Sequence, residues 1–327
     1  MPDLNPDATP TPPDDTQPKK GPSNLRLRAI WGALAAALLI ACTFGGPISF
    51  GLFFAAVQAV MLKEFYRIMR AAGYKPLALL GIVGGVIIFA IFWYESFWVG
   101  FSFEKHASAG ILANAPLAIA AKTGYANTIG GWEFITLRVL LAAMALSFVS
   151  LLYELFAWPK SSPPFANIGV ALGGIFYISI PMALLTVIAH GPHGYEPGRV
   201  FCLILFIWAA DTGAYFAGKN FGKHKLAPSI SPGKTWEGWA GGAALTLLVG
   251  WAAGYFLPDI PLGHRLVAAG VVAVFGPLGD LAESMLKRSA GVKDSGTFLP
   301  GHGGLLDRFD AFLLVLPVLA LLQVLFS

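Results

Sequence analysis

The chain has 327 residues, of which 56% are hydrophobic and only 12% charged, with a net charge of +4. Soluble domains carry about 25% charged residues, so an ordinary cytosolic enzyme and a disordered regulator are both excluded. Cys42 and Cys202 sit inside apolar runs, which removes a disulfide scaffold and a cysteine zinc site. A basic excess in such a chain marks cytoplasmic loops rather than nucleic-acid binding.

Residues 1–24 are proline-rich, hold four aspartates and offer almost nothing to bury, so they read as a disordered cytoplasmic tail. A secretory signal would begin with a basic segment and a short apolar core, and neither is present. Apolar segments follow, each near the ~20 residues that span hydrocarbon. They fall at about 29–45, 47–62, 77–95, 134–157, 167–190, 199–218, 238–257, 264–286 and 305–326. The expected fold is therefore all-α, a polytopic helical membrane bundle of about nine transmembrane helices. It divides into an N-terminal transmembrane region, 25–198, and a C-terminal catalytic region, 199–327. Within 96–133, Ile111–Ala121 is apolar but too short to cross, which suits the membrane interface. With the amino end inside, seventeen of the 22 Lys and Arg residues fall on the cytoplasmic side and five on the other. That bias places the carboxyl end outside.

Acidic residues divide the chain. Before residue 200 the spans hold few, and Glu154 is placed near a helix end where it can snorkel. After residue 200, Asp211, Asp280, Glu283, Asp307 and Asp310 cluster at span ends. Carboxylates inside a membrane are expensive and mark a site or a pathway.

Three polar segments meet at the cytoplasmic end. In Asp211–Lys225, the spacing puts Asp211, Tyr215 and Gly218 on one helical face. In Ser231-Pro-Gly-Lys-Thr-Trp-Glu-Gly238, Gly-Lys-Thr suggests a phosphate loop, but the required first glycine would fall at Ala227-Pro228 and no strand precedes it. What remains is a Pro-Gly turn presenting Lys234 and backbone N–H groups at a helix start, a sound place for phosphate. The third segment runs from Gly276 to Arg288, with Asp280, Glu283 or Ser284, and Lys287 on one face. A glycine-rich loop containing His302 follows, and then Asp307-Arg308-Phe-Asp310. Facing helix ends can bring Asp280 and Asp307 together as oxygen ligands suited to Mg2+. A secondary transporter would also carry intramembrane carboxylates, but it predicts an internal repeat and acids in both halves. A membrane lipid phosphotransferase or kinase is the second alternative.

Ser284-Met-Leu-Lys287-Arg288, four residues, Lys293-Asp294, then Gly296, Leu299-Pro300, His302-Gly303-Gly304 and Asp307-Arg308-Phe309-Asp310 resembles the signature of the phosphatidate cytidylyltransferases. The likeness covers about 200–310, with Ala311 standing where many members have serine. It implies that CTP and phosphatidate give CDP-diacylglycerol and pyrophosphate in a bacterial inner membrane, the site facing the cytoplasm. It implies Mg2+ held by Asp280 and Asp307, with Asp310 or Glu283 in support and room for a second cation. Lys287, Arg288 and Asp310 join the two aspartates as catalytic residues. Lys234, Ser231, Asp211, Lys219, Lys293, His302, Arg308 and Ser284 are the substrate-binding set. The partners implied are CTP, phosphatidate and membrane lipid; no nucleic acid is expected, and a homodimer is compatible.

Overall fold

The computed structural model describes residues 23–108, 117–158, 163–191, 194–255, 257–258, 260–298 and 303–326, with side chains for all but 23–29, 98–135, 324 and 326. Residues 1–22 of the tail, Lys160, most of Ile111–Ala121, Pro300 and His302 lie outside the described residues, while Ser23 and Asn24 open the first helix.

Nine long helices among the described residues coincide with the nine apolar segments. They are α1 (Ser23–Phe44), α2 (Pro47–Ala71), α3 (Ala78–Ser108), α4 (Leu117–Ala157), α5 (Pro164–Ile188), α6 (Pro197–Phe221), α7 (Trp236–Ala252), α8 (Leu262–Ser289) and α9 (Leu306–Phe326). Six of them, α2 to α6 and α8, contain stretches long and apolar enough to cross a membrane. The chain is thus a helical membrane protein, while the full count of nine spans goes beyond what length and composition establish. The helix of α3 continues to residue 108 and that of α4 begins at 117, so most of 96–133 is helical. Two small antiparallel sheets depart from the all-α expectation. One pairs β1 (His190–Gly191) with β2 (Gly194–Tyr195), and the other pairs β3 (Lys225–Ala227) with β4 (Ser231–Thr235).

The core is built where helices meet, from Phe50, Phe54, Met61, Tyr66, Leu185 and Leu306 among others. Outward faces are apolar too: Leu140, Met144, Leu151 and Leu155 of α4 are exposed, as suits a surface against lipid. Glu154, expected to snorkel, is instead buried at 2% exposure on the inner face of α4. The closest crossing is α6 on α7. A Cβ at Gly213 would lie 2.6 Å from the Gly241 carbonyl oxygen, so only glycine permits this approach.

Prolines shape two helices near the site. Pro277 inside α8 has no N–H to give the Ala273 carbonyl, and the indole Nε1–H of Trp239 supplies the missing donor at 3.0 Å. In α5, Pro181 would clash with the Tyr177 carbonyl in α geometry. The helix widens instead into a π turn over Ile175–Ser179, and the Ile180 N–H bonds to the Ile175 carbonyl.

The ends of the bundle gather different elements. One end joins the C-terminal half of α2, the 222–237 segment and the loop between α8 and α9, through Glu64, Arg67, Lys234 and Ser295. The other joins Thr43, Trp93 and Tyr195, where the Tyr195 hydroxyl donates to the Thr43 carbonyl at 2.6 Å.

Candidate active site

The hairpin of β3 and β4 brings Lys234 to the site. Thr235 caps α7, its hydroxyl oxygen accepting from Gly238 N–H at 3.1 Å. Glu237, in the first turn, accepts the N–H groups of Lys223 and His224 and lies 2.5 Å from His224 Nδ1. The His224 hydrogen bond, foremost, holds the Glu237 carboxyl down at about 2. These bonds tie the start of the hairpin to the helix that follows it.

From that hairpin Lys234 Nζ reaches Asp280 Oδ2 at 2.6 Å and the Pro277 carbonyl at 3.3 Å. Ser284, one turn after Asp280, donates to its Oδ1 at 3.2 Å. Asp211 and Asp310 lie near enough to Asp280 to repel it and each other, with Lys234 attracting all three and Arg308 acting on Asp211. This first set joins α6, β4, α8 and α9.

A second set lies between α8 and the start of α9. Lys287 Nζ is 2.5 Å from Glu283 Oε2 and 2.6 Å from Asp307 Oδ1, and Glu283 is buried at 1% exposure. The other oxygen of Asp307 accepts from Gly304 N–H at 3.0 Å, Ser295 N–H at 3.2 Å and the Ser295 hydroxyl at 2.8 Å. A carboxylate so saturated is a fastening for the loop.

The sequence reading joined Asp280 and Asp307 as one pair of oxygen ligands. Among the described residues no hydrogen bond or ion pair links Asp280 to Asp307; each takes its own lysine. No three His, Cys, Asp or Glu side chains converge at metal-ligand distance among the described residues. Of the expected metal ligands, Glu283 faces Lys287, while Asp310 belongs with Asp280. Ser231 is half-buried on β4, and Arg288 and Lys293 are exposed. Lys219 is exposed over the Tyr215 ring, 5.8 Å from its centroid.

Two contributors from the first half were missed. Glu64 of α2 is buried, and its Oε2 accepts from Leu306 N–H at 2.8 Å and lies 3.3 Å from the Ser295 hydroxyl. It occupies the space that Cβ atoms at Gly296 and Gly304 would need. One turn on, Arg67 donates to the Ser295 carbonyl. Ending the second span at 62 put Glu64 outside it, whereas α2 runs on to Ala71. The available signal was an acid placed among Leu62, Phe65 and Tyr66.

The profile of the cytidylyltransferase family matches residues 26–326. A phosphatidate cytidylyltransferase of Bacillus subtilis is 33% identical over 306 residues, 93% of this chain and 99% of its own. Its namesake in Staphylococcus saprophyticus is 42% identical over 187 residues, 57% of this chain and 69% of its own. The one from Staphylococcus aureus strain COL is 41% identical over 198 residues, 60% of this chain and 72% of its own.

Proposed function

Because the chain belongs to the cytidylyltransferase family, we infer that it transfers the cytidylyl group of CTP to phosphatidate, giving CDP-diacylglycerol and pyrophosphate. The observation that carries this reading is the family match across 26–326, which takes in both lysine–carboxylate sets. A phosphate oxygen of phosphatidate attacks the α-phosphorus of CTP, and the bond from that phosphorus to the pyrophosphate oxygen breaks. The attacking oxygen is already anionic at neutral pH, so no strong general base is required. The barrier lies in bringing two anions together and in carrying the charge of the leaving group.

The chain's own groups address that charge. Lys234 and Lys287 are anchored at 2.6 Å by aspartates, which fixes each ammonium where a phosphate can meet it. Ser284 orients Asp280, and Ser295 with Gly304 orients Asp307. Arg288 and Lys293 lie exposed beside the second set and suit the approach of a polyanionic nucleotide.

Mg2+ belongs to this proposal. In the first set Asp280 pairs with Lys234 while Asp211 and Asp310 lie within the field of both, so negative oxygen donors outnumber the one lysine, a balance that suits a hard cation. Asp280 and Asp310 would hold it with Asp211 facing them, while Asp307, whose oxygens serve Lys287, Ser295 and Gly304, fastens the loop beside it. When bound, the ion supplies neutralisation of triphosphate charge.

The site is further assigned to the cytoplasmic face of a bacterial inner membrane, the amino end inside and the carboxyl end outside. The basic bias of the loops supports that orientation. Purified protein in detergent should release pyrophosphate only when CTP and phosphatidate are both present. A transporter would release none, and a lipid kinase would release CDP.

A further inference from the structure

We infer that the hydroxyl of Tyr177 is a hydrogen-bond donor to a phosphate oxygen of a bound substrate; this rests on the activity proposed above. Tyr177 sits on the π turn that Pro181 imposes on α5. Such turns rotate side chains off the regular helical face and recur at functional sites. Its ring is held against Phe65 of α2, with centroids 6.2 Å apart. Its hydroxyl is buried and has no hydrogen-bond partner among the described residues.

The surroundings of that hydroxyl are specific. It is close enough to the carboxylates of Glu283 and Asp310 to feel both charges. Glu283 belongs to the Lys287 set and Asp310 to the Lys234 set, so the hydroxyl feels one carboxylate from each set. A phosphate held between the two lysines would meet a donor from the first half of the chain. A phenol brings a proton to share without adding a charge that must be buried. An unpaired buried hydroxyl is a standing cost to the fold, and a ligand oxygen removes it.

That cost makes the test sharp. Deleting an unpartnered hydroxyl takes nothing from the fold, so Tyr177→Phe in the full-length protein should melt at or above the wild-type temperature. A hydrogen bond to a charged group is worth about 1.5–3 kcal/mol, which is roughly ten- to hundredfold in kcat/KM. Steady-state rates with CTP and phosphatidate varied separately divide the possible sources. A rise in KM for phosphatidate alone assigns the lipid phosphate, a rise for CTP alone assigns the nucleotide, and a fall in kcat alone assigns the phosphoryl group in transfer. Tyr66→Phe is the contrast: its hydroxyl donates to the Ala171 carbonyl at 2.7 Å. It should lower the melting temperature while keeping the turnover of the folded enzyme. Constants within twofold of wild type for both substrates, or a melting loss like that of Tyr66→Phe, overturn the assignment. A wild-type protein that releases no pyrophosphate overturns the activity and this inference together.

Discussion

The two aspartates with their own lysines behave differently at the level of single residues. Asp280→Asn and Asp307→Asn should each lower the rate more than about 10²-fold, the scale of removing a main electrostatic contributor. Raising Mg2+ should partly rescue Asp280→Asn and do nothing for Asp307→Asn, whose oxygens hold Lys287 and the loop. Equal rescue of both would reverse that division. Glu64→Ala strips the acceptor from Leu306 N–H in a buried place. An unsatisfied buried group costs about 1–3 kcal/mol, so both melting temperature and kcat should fall, with Glu64→Gln restoring part of each. Glu237 supplies the pH dependence. Its carboxyl is held at about 2, below the usual 4.5, so it stabilises the folded hairpin fully above about 4.5 and loses that effect as pH falls toward 2. Protection factors over 222–237, with the intrinsic pH dependence of exchange divided out, should fall across that window in wild type and stay flat in Glu237→Gln. Asp280, Glu283 and Lys287 could be placed on one face because they recur at helical spacing, and the structure puts them on one helix. Glu64 could not be placed, since no local pattern ties it to Ser295, 231 positions later.

Among the elements, apolar runs located every long helix, because a length of about 20 apolar residues is a strong signal. Their ends were less legible. Helices α2, α3 and α4 all run past the hydrophobic segment, since the backbone continues its hydrogen bonding into polar sequence. The β3–β4 hairpin was read only as a Pro-Gly turn; in the structure Lys225 pairs with Thr235, and Glu237 reaches back to Lys223 and His224. The α6–α7 crossing offers a test of packing. Gly213→Ala should lose about 1–3 kcal/mol of stability through overpacking, seen as earlier melting in detergent. Gly263→Ala, where nothing lies within 4 Å of the added carbon, should be silent. A silent Gly213→Ala would show that the two helices can part without consequence.

For the whole molecule, orientation is the open question that labelling answers. Cysteines at exposed Ser229 and Ser289 should resist a membrane-impermeant reagent in intact cells and react in inverted vesicles. Reaction at both from outside would invert the proposed topology. The sequence reading divided the chain into an N-terminal bundle and a C-terminal catalytic region by the placement of the acids. It hid the fact that α2 reaches into the loop of the second region through Glu64 and Arg67. The bond from Leu306 N–H to Glu64 also sets an order in time. Glu64 leaves the ribosome 242 residues before its partner does. Until then its carboxylate must stay near water or accept a temporary donor, because an unpaired charge does not settle into an apolar interior. The site should therefore close last in biogenesis, and a chain truncated before α9 should be found inserted in the membrane yet silent as an enzyme.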